Sequence, residues 1–189
     1  MAGAMAVKPF APEATVGAGR VALDAWVRRH WLLLATLGNA AVLAGAVWVA
    51  YLRAHGATQL AETLSTAYLL LCPQRPAHSY FPFGAQMALE EREVAMFATL
   101  ALGGAVYGAV RGRLRPIKLR MVLVLGAPMV LDVVTQMVGL RDSTWLWRTW
   151  TGILATWSVI WYVYPRVDWR IRLQQARPAG VGSPRPRDT

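Results

Sequence analysis

Apolar residues in this chain fall in long unbroken runs. Four of them approach the roughly 20 residues that a helix rising about 1.5 Å per residue needs to cross about 30 Å of hydrocarbon. Trp31 to Leu52 contains no Lys, Arg, His, Asp or Glu, and is flanked by Arg28, Arg29 and His30 before it and Arg53 after it. Val94 to Val110, near the lower length limit for a span, lies between the acidic Glu90–Glu93 stretch and a basic cluster. Met121 to Leu140 has the length but is interrupted by Asp132, Thr135 and Gln136. Trp145 to Tyr164 carries Arg148 near its start and stops before Pro165. Its Trp145, Trp147, Trp150, Trp161, Tyr162 and Tyr164 sit where interfacial aromatic belts belong. The pattern predicts an all-α membrane protein, a four-helix transmembrane bundle with spans at about 31–52, 94–110, 121–140 and 145–164, within a membrane domain of 31–165.

The connection between the first two spans exceeds the roughly 12–15 residues expected of a structureless loop, so it should contain an element of its own. Leu60, Leu64, Tyr68 and Leu71 recur at helical spacing among polar neighbours, which predicts an outer interfacial helix over about 57–71. Pro73 and Pro76 should stop it at Cys72. Tyr80, Phe81 and Phe83 then read as a loop resting on the membrane surface or on the bundle. Residues 1–30 read as a cytoplasmic N-terminal segment, flexible to about Ala18. Residues 166–189 read as a basic cytoplasmic tail, largely disordered because its Pro, Gly, Ser and Arg content buries little apolar surface. A cleaved signal peptide fits the first run poorly, since the polar segment ahead is long and the apolar run exceeds the roughly 7–15 residues of a signal core.

Composition agrees with the pattern and adds an orientation. Hydrophobic residues make up 56% of the 189 and charged residues only 16%, below the quarter or so usual in soluble domains. The net charge of +10 is a topology signal, because fifteen of the twenty Lys and Arg flank the spans on one side. Those residues lie before the first span, between the second and third, and after the fourth. This places a multi-pass protein in the cell inner membrane with both termini cytoplasmic. The lipid bilayer is its implied partner; a second copy or a membrane-complex partner is compatible with the pattern, and no motif supports nucleic acid.

The stretch Cys72-Pro73-Gln74-Arg75-Pro76-Ala77-His78-Ser79-Tyr80-Phe81, with Phe83-Gly84-Ala85-Gln86 and Glu91-Arg92-Glu93, resembles an uncharacterised family of small bacterial integral membrane proteins. That family is a domain of unknown function with a Cys-His-Gln-x-Pro-Glu-Arg-Ser-type loop signature. Asp132 to Gln136, Gly139 to Thr144 and Arg148 to Gly152 are similar to its second signature, so the resemblance spans roughly Leu60 to Pro165. Pro73, His78 and Glu90 stand where the family tends to carry His, Arg and a second Cys. The resemblance implies membership of a family with no assigned activity.

Candidate chemistry concentrates where polar residues interrupt apolar runs. A carboxylate at the centre of a span costs about 2.5–3.5 kcal/mol on translocon scales, so Asp132 must face protein or water. Thr135 and Gln136 continue its helix face, and Pro128 allows a kink below it. Arg148 is the natural partner for Asp132. Arg92 can join Arg75 and His78 around an anion such as a lipid headgroup, while Glu90, Glu91 and Glu93 read first as charges favoured at a helix N-terminus. Asp142, Ser143 or Thr144 can cap the fourth helix. Cys72 reads as a small buried apolar residue, and Cys72, His78 and one carboxylate fall short of a zinc ligand set. Gly104, Gly108 and Gly112 form a small-residue stripe suited to close packing within or between chains, and Asn39 can donate across the bundle.

The ligand-binding set expected from these residues is Asp132, Thr135, Gln136, Arg148, Arg75, His78 and Arg92, with no catalytic residue, metal or cofactor. No nucleophile elbow, phosphate-binding glycine loop, His-Glu-x-x-His helix or acidic metal cluster is present. The leading functional expectation is a binding or transport-like protein with an outward-facing polar pocket for a small ligand or lipid headgroup. A structural or assembly subunit is the alternative, ahead of a membrane-embedded enzyme.

Overall fold

The computed structural model describes residues 13–113 and 115–176. They form five helices: α1 (Glu13–Ala54), α2 (Thr58–Tyr68), α3 (Glu91–Val110), α4 (Leu119–Met137) and α5 (Trp145–Ala176). Two single 3-10 turns, Pro76–His78 and Pro82–Gly84, shape the α2–α3 loop. Among the described residues three segments are long and apolar enough to cross a membrane: Ala22–Ala54, Glu91–Val110 and Leu119–Met137. Only 6% of the apolar window of α4 is buried within the chain, and Leu123, Val124, Val130 and Leu131 each lie more than 60% exposed. Such a continuous apolar surface requires lipid or another protein against it.

The helices pack α1 on α3, α3 on α5 and α4 on α5, with α2 against α1. Glycines on α3 permit the close approaches. A Cβ at Gly104 would lie 2.3 Å from Thr36 Oγ1 of α1, and one at Gly103 would lie 2.5 Å from Ile160 of α5. Gly108 faces Leu32, so this stripe packs within the chain. Gly112 lies past the end of α3, at φ +86°.

Several expected boundaries move. The first helix begins at Glu13, so residues 13–18 are helical where a flexible segment was expected; residues 1–12 lie outside the described set. The third span ends at Met137 rather than Leu140. Gly139, at φ +70°, donates to Gln136 O at 3.1 Å while Leu140 N donates to Thr135 O at 3.0 Å, a Schellman stop.

The fourth helix does not stop at Pro165. It runs eleven residues further, so 166–176 are helical where a disordered tail was expected; 177–189 lie outside the described residues. A proline inside a helix frees the carbonyl four residues back. Ile117 N, in the α3–α4 connection, takes the freed Trp161 carbonyl at 3.3 Å. The Arg166 guanidinium bonds both Tyr162 O at 2.6 Å and Ile117 O at 3.1 Å, tying that connection to the proline turn.

The helix expected at the interface is shorter than expected, Thr58–Tyr68. Its bundle-facing residues are Ala61 and Ser65, with the Tyr68 hydroxyl donating to Val42 O at 2.8 Å over the bare Gly45. Leu60, Leu64 and Leu71, the apolar positions expected to meet the membrane interface, are exposed. Small residues win the inner face because α2 lies close on α1, leaving the leucines for the apolar surroundings. Asn39 does not reach across the bundle; its amide donates to Ala35 O one turn back, at 2.7 Å. Phe81 and Phe83 are exposed, whereas Tyr80 is pinned to α5 by a 2.7 Å hydrogen bond with Thr149.

Candidate functional site

Four pieces of chain meet at the end of the bundle expected to face outward: the 72–84 loop, the start of α3, the last turns of α4 and the start of α5. The loop is held by side chains acting as substitutes for secondary structure. Arg53, at the end of α1, bonds Glu62 through Nε and Nη2 at 2.9 and 3.1 Å, Gln86 O at 2.8 Å and Ser65 Oγ at 3.0 Å. Gln74, at φ +55°, spans to α2 through Ser65 O and Ser65 Oγ, and Gln86 returns to Gln74 O at 2.7 Å. Cys72 is buried beneath the loop. Burial pushes its thiol up from the ordinary value, which suits a packing residue rather than a thiolate.

This framework encloses a half-open cavity of about 650 Å³ whose wall includes Arg75, His78, Arg92, Gln136 and Arg148, together with Glu90 and Asp142. Five of the seven residues expected to bind a ligand therefore share one wall. Asp132 lies behind that wall at 3% exposure, and Thr135 turns its hydroxyl back to the carbonyls of Leu131 and Asp132.

The ion pairs differ from the expected one. Arg148 does not pair with Asp132. Its Nη1 bonds Glu91 Oε2 at 2.9 Å and reaches Ala77 O at 3.4 Å. Asp132 instead accepts from Arg92 Nη2 and Arg141 Nη2, each at 2.6 Å, and from Gln136 Nε2 at 3.1 Å. The reason is axial position: Glu91 opens α3 at the level where α5 begins, and Arg92, on the next residue, points to α4. Glu90 serves as the loop's acceptor, taking Arg75 N at 2.8 Å. No side-chain cap forms on α3. Glu91 and Arg141 are the functional-site residues that sequence reasoning underrated. The available signal was that two arginines set among apolar helices need carboxylates, and Glu91 and Asp132 are two that lie near them in depth.

Two guanidinium nitrogens behind the wall lack partners. Arg92 Nε and Arg148 Nε are buried with no hydrogen-bond partner, each a cost of about 1–3 kcal/mol for an orphaned polar group. Arg75 forms no side-chain ion pair among the described residues. No three His, Cys, Asp or Glu side chains gather into a metal-holding group among them.

His78 is held below its ordinary imidazole value, first by burial and then by the Arg148 guanidinium, against the pull of Glu90 at 3.8 Å. The unfolded chain therefore takes up this proton at a higher pH than the folded protein does. Stability from this residue is intact above the ordinary imidazole value and falls as pH drops through it. His78→Asn should accordingly flatten the loss of thermal stability between pH 7.5 and pH 5. Parallel wild-type and variant curves would remove His78 from that titration.

A family model described as "Predicted membrane protein (DUF2085)" matches residues 72–162, a stretch containing every residue of this cavity wall. The uncharacterized protein MJ1492 of Methanocaldococcus jannaschii is 32% identical over 105 residues, covering 54% of this chain and 67% of that protein. No solved structure matches the chain.

Proposed function

The chain belongs to the DUF2085 family of predicted membrane proteins, and from that premise we propose that it is a four-span inner-membrane protein whose outer cavity binds a small anion or an anionic lipid headgroup. Both termini lie in the cytoplasm in this reading. The fourth span is the first part of α5, which at about 1.5 Å per residue is far longer than a bilayer core and packs along α3 and α4. Its Trp, Thr and Arg content lowers its mean hydropathy. Burial against two neighbouring helices compensates for that, since a span shielded by protein need not be apolar all round.

The observation that carries the binding reading is the convergence of three guanidinium groups, Arg75, Arg92 and Arg148, on one cavity, with Arg75 in no ion pair among the described residues. Planar guanidinium forks suit carboxylate and phosphate oxygens. One observation favours the structural alternative: Asp132 and Glu91 are both ion-paired inside the chain, as helix fasteners would be. Native mass spectrometry of the gently extracted full chain separates the two. The binding reading expects an anionic adduct on wild type that disappears in Arg75→Gln, a substitution that breaks no ion pair. Protein without an adduct, and with no thermal stabilisation by inorganic phosphate, supports fastening alone.

A further inference from the structure

A second cavity, of about 620 Å³, opens at the opposite, arginine-rich end of the bundle. It lies where α3 gives way to the α3–α4 connection and where α5 continues past Pro165. Arg115, Arg166, Arg170 and Arg172 line it, with Trp169 at its edge and Asp168 as the one carboxylate in its wall.

That carboxylate is already saturated. Asp168, 4% exposed, accepts Arg111 through both Nε, at 2.6 Å, and Nη2, and also takes the Tyr107 hydroxyl and Trp31 Nε1, each at 3.1 Å. It joins α1, α3 and α5 at this end and has no remaining capacity for the four lining arginines. Among the described residues Arg166 bonds only neutral carbonyls and stacks on Tyr162, with Cζ 3.5 Å from the ring centroid, so none of them compensates its charge. Arg115, Arg170 and Arg172 form no ion pair among the described residues. The Arg172 guanidinium lies over Gly112, where a Cβ would come within 3.3 Å of Nη2. Trp169 is 65% exposed beside these charges, the disposition of an aromatic anchor at a membrane interface.

A concave site with four guanidinium groups outside any ion pair among the described residues, an indole rim and apolar helix surface alongside fits one ligand chemistry. We propose that this cavity binds a phosphate-bearing anion, presented by an anionic phospholipid of the leaflet at the arginine-rich end. Arginine forks take the phosphodiester oxygens while the acyl chains run down the exposed faces of the neighbouring helices. The site is separate from the outer cavity and does not depend on the reading given to that one.

The test uses the full chain in dodecyl maltoside, titrated separately with dioleoylphosphatidylglycerol, dioleoylphosphatidylcholine and inorganic phosphate, with bound adducts read by native mass spectrometry. Wild type should retain phosphatidylglycerol in preference to phosphatidylcholine. Arg170→Gln/Arg172→Gln, which alters two exposed side chains outside any ion pair, should weaken phosphatidylglycerol retention by roughly 30-fold. Arg115→Gln, on the connection instead of the helix, should weaken it by roughly 5-fold. Arg75→Gln, at the other end, should leave it unchanged, so failure here and failure of the outer-cavity reading remain distinguishable. Equal retention of the two lipids by wild type, or unchanged preference in both inner variants, overturns the proposal. Displacement of phosphatidylglycerol by inorganic phosphate at equal concentration overturns the lipid as the source.

Discussion

Asp132→Asn is expected to destabilise the protein by about 3–5 kcal/mol, the range for removing one partner of a buried ion pair. The wild-type carboxylate side chain is 2% exposed and holds two guanidinium groups at 2.6 Å. Asparagine keeps the shape and one acceptor oxygen but removes the charge that both arginines were placed against. The two will not suffer equally. The Arg141 side chain is 45% exposed, stacks near Trp147 and can turn to water, whereas that of Arg92 is 15% exposed and already has an unpartnered Nε. Most of the cost should therefore pass through Arg92. A double-mutant cycle should show larger coupling for Asp132 with Arg92 than with Arg141, whose exposure screens it. Thermal or denaturant unfolding in detergent measures each. An Asp132→Asn variant within about 1 kcal/mol of wild type would mean that the carboxylate is not the anion these arginines require.

The second large effect belongs to Glu91→Gln. Glu91 and Arg148 are both buried, their side chains 9% and 8% exposed, so the arginine left behind keeps only a long protein bond, to Ala77 O, and the little water that its face on the cavity admits. A loss of about 3–5 kcal/mol is again expected. The informative companion is Glu91→Leu with Arg148→Met. Replacing both members of a buried pair by apolar groups of similar volume is often neutral, or stabilising by about 1–4 kcal/mol. If that double variant is stable, the pair is dispensable to folding and its retention points to the cavity that Arg148 lines. If it unfolds as readily as Glu91→Gln, Arg148 is needed for packing between the loop and α5.

The apolar runs were legible because their signal is local. Hydrocarbon demands a minimum length of uncharged helix, and that demand is written in consecutive residues. Trp31–Leu52, Val94–Val110 and Met121–Leu140 each fall largely inside observed α1, α3 and α4. Boundaries that depended on one residue's own geometry were less certain: Gly139 stops α4 early through its positive φ, whereas Pro165 fails to stop α5. The proline is tolerated because Ile117, some fifty positions earlier in the chain, supplies the missing donor. No window around Pro165 contains that information.

The candidate site divides in the same way. Arg75, His78, Arg92, Gln136 and Arg148 could be singled out because polar groups beside or within apolar helices are costly and conspicuous. Their pairing could not. Adjacent residues on a helix point about 100° apart, so Glu91 and Arg92 reach different neighbours, α5 and α4 respectively. Which arginine meets which carboxylate depends on the packing order and axial offset of α3, α4 and α5. The saturation of Asp168 by groups from α1 and α3 was equally out of reach, because its donors lie from about 57 to 137 residues away.

The sequence by itself determined that this is a helical membrane protein, with charge gathered at one end and a few polar groups that hydrocarbon will not accept alone. Solvation free energy acts on each residue and its near neighbours, and composition records it. Only the tertiary structure decided that those groups form two cavities, one backed by the paired Asp132 and Glu91 and the other lined by arginines without an ion pair among the described residues. Charge pairing is a matter of distances between helices, and those distances exist only once the helices have packed.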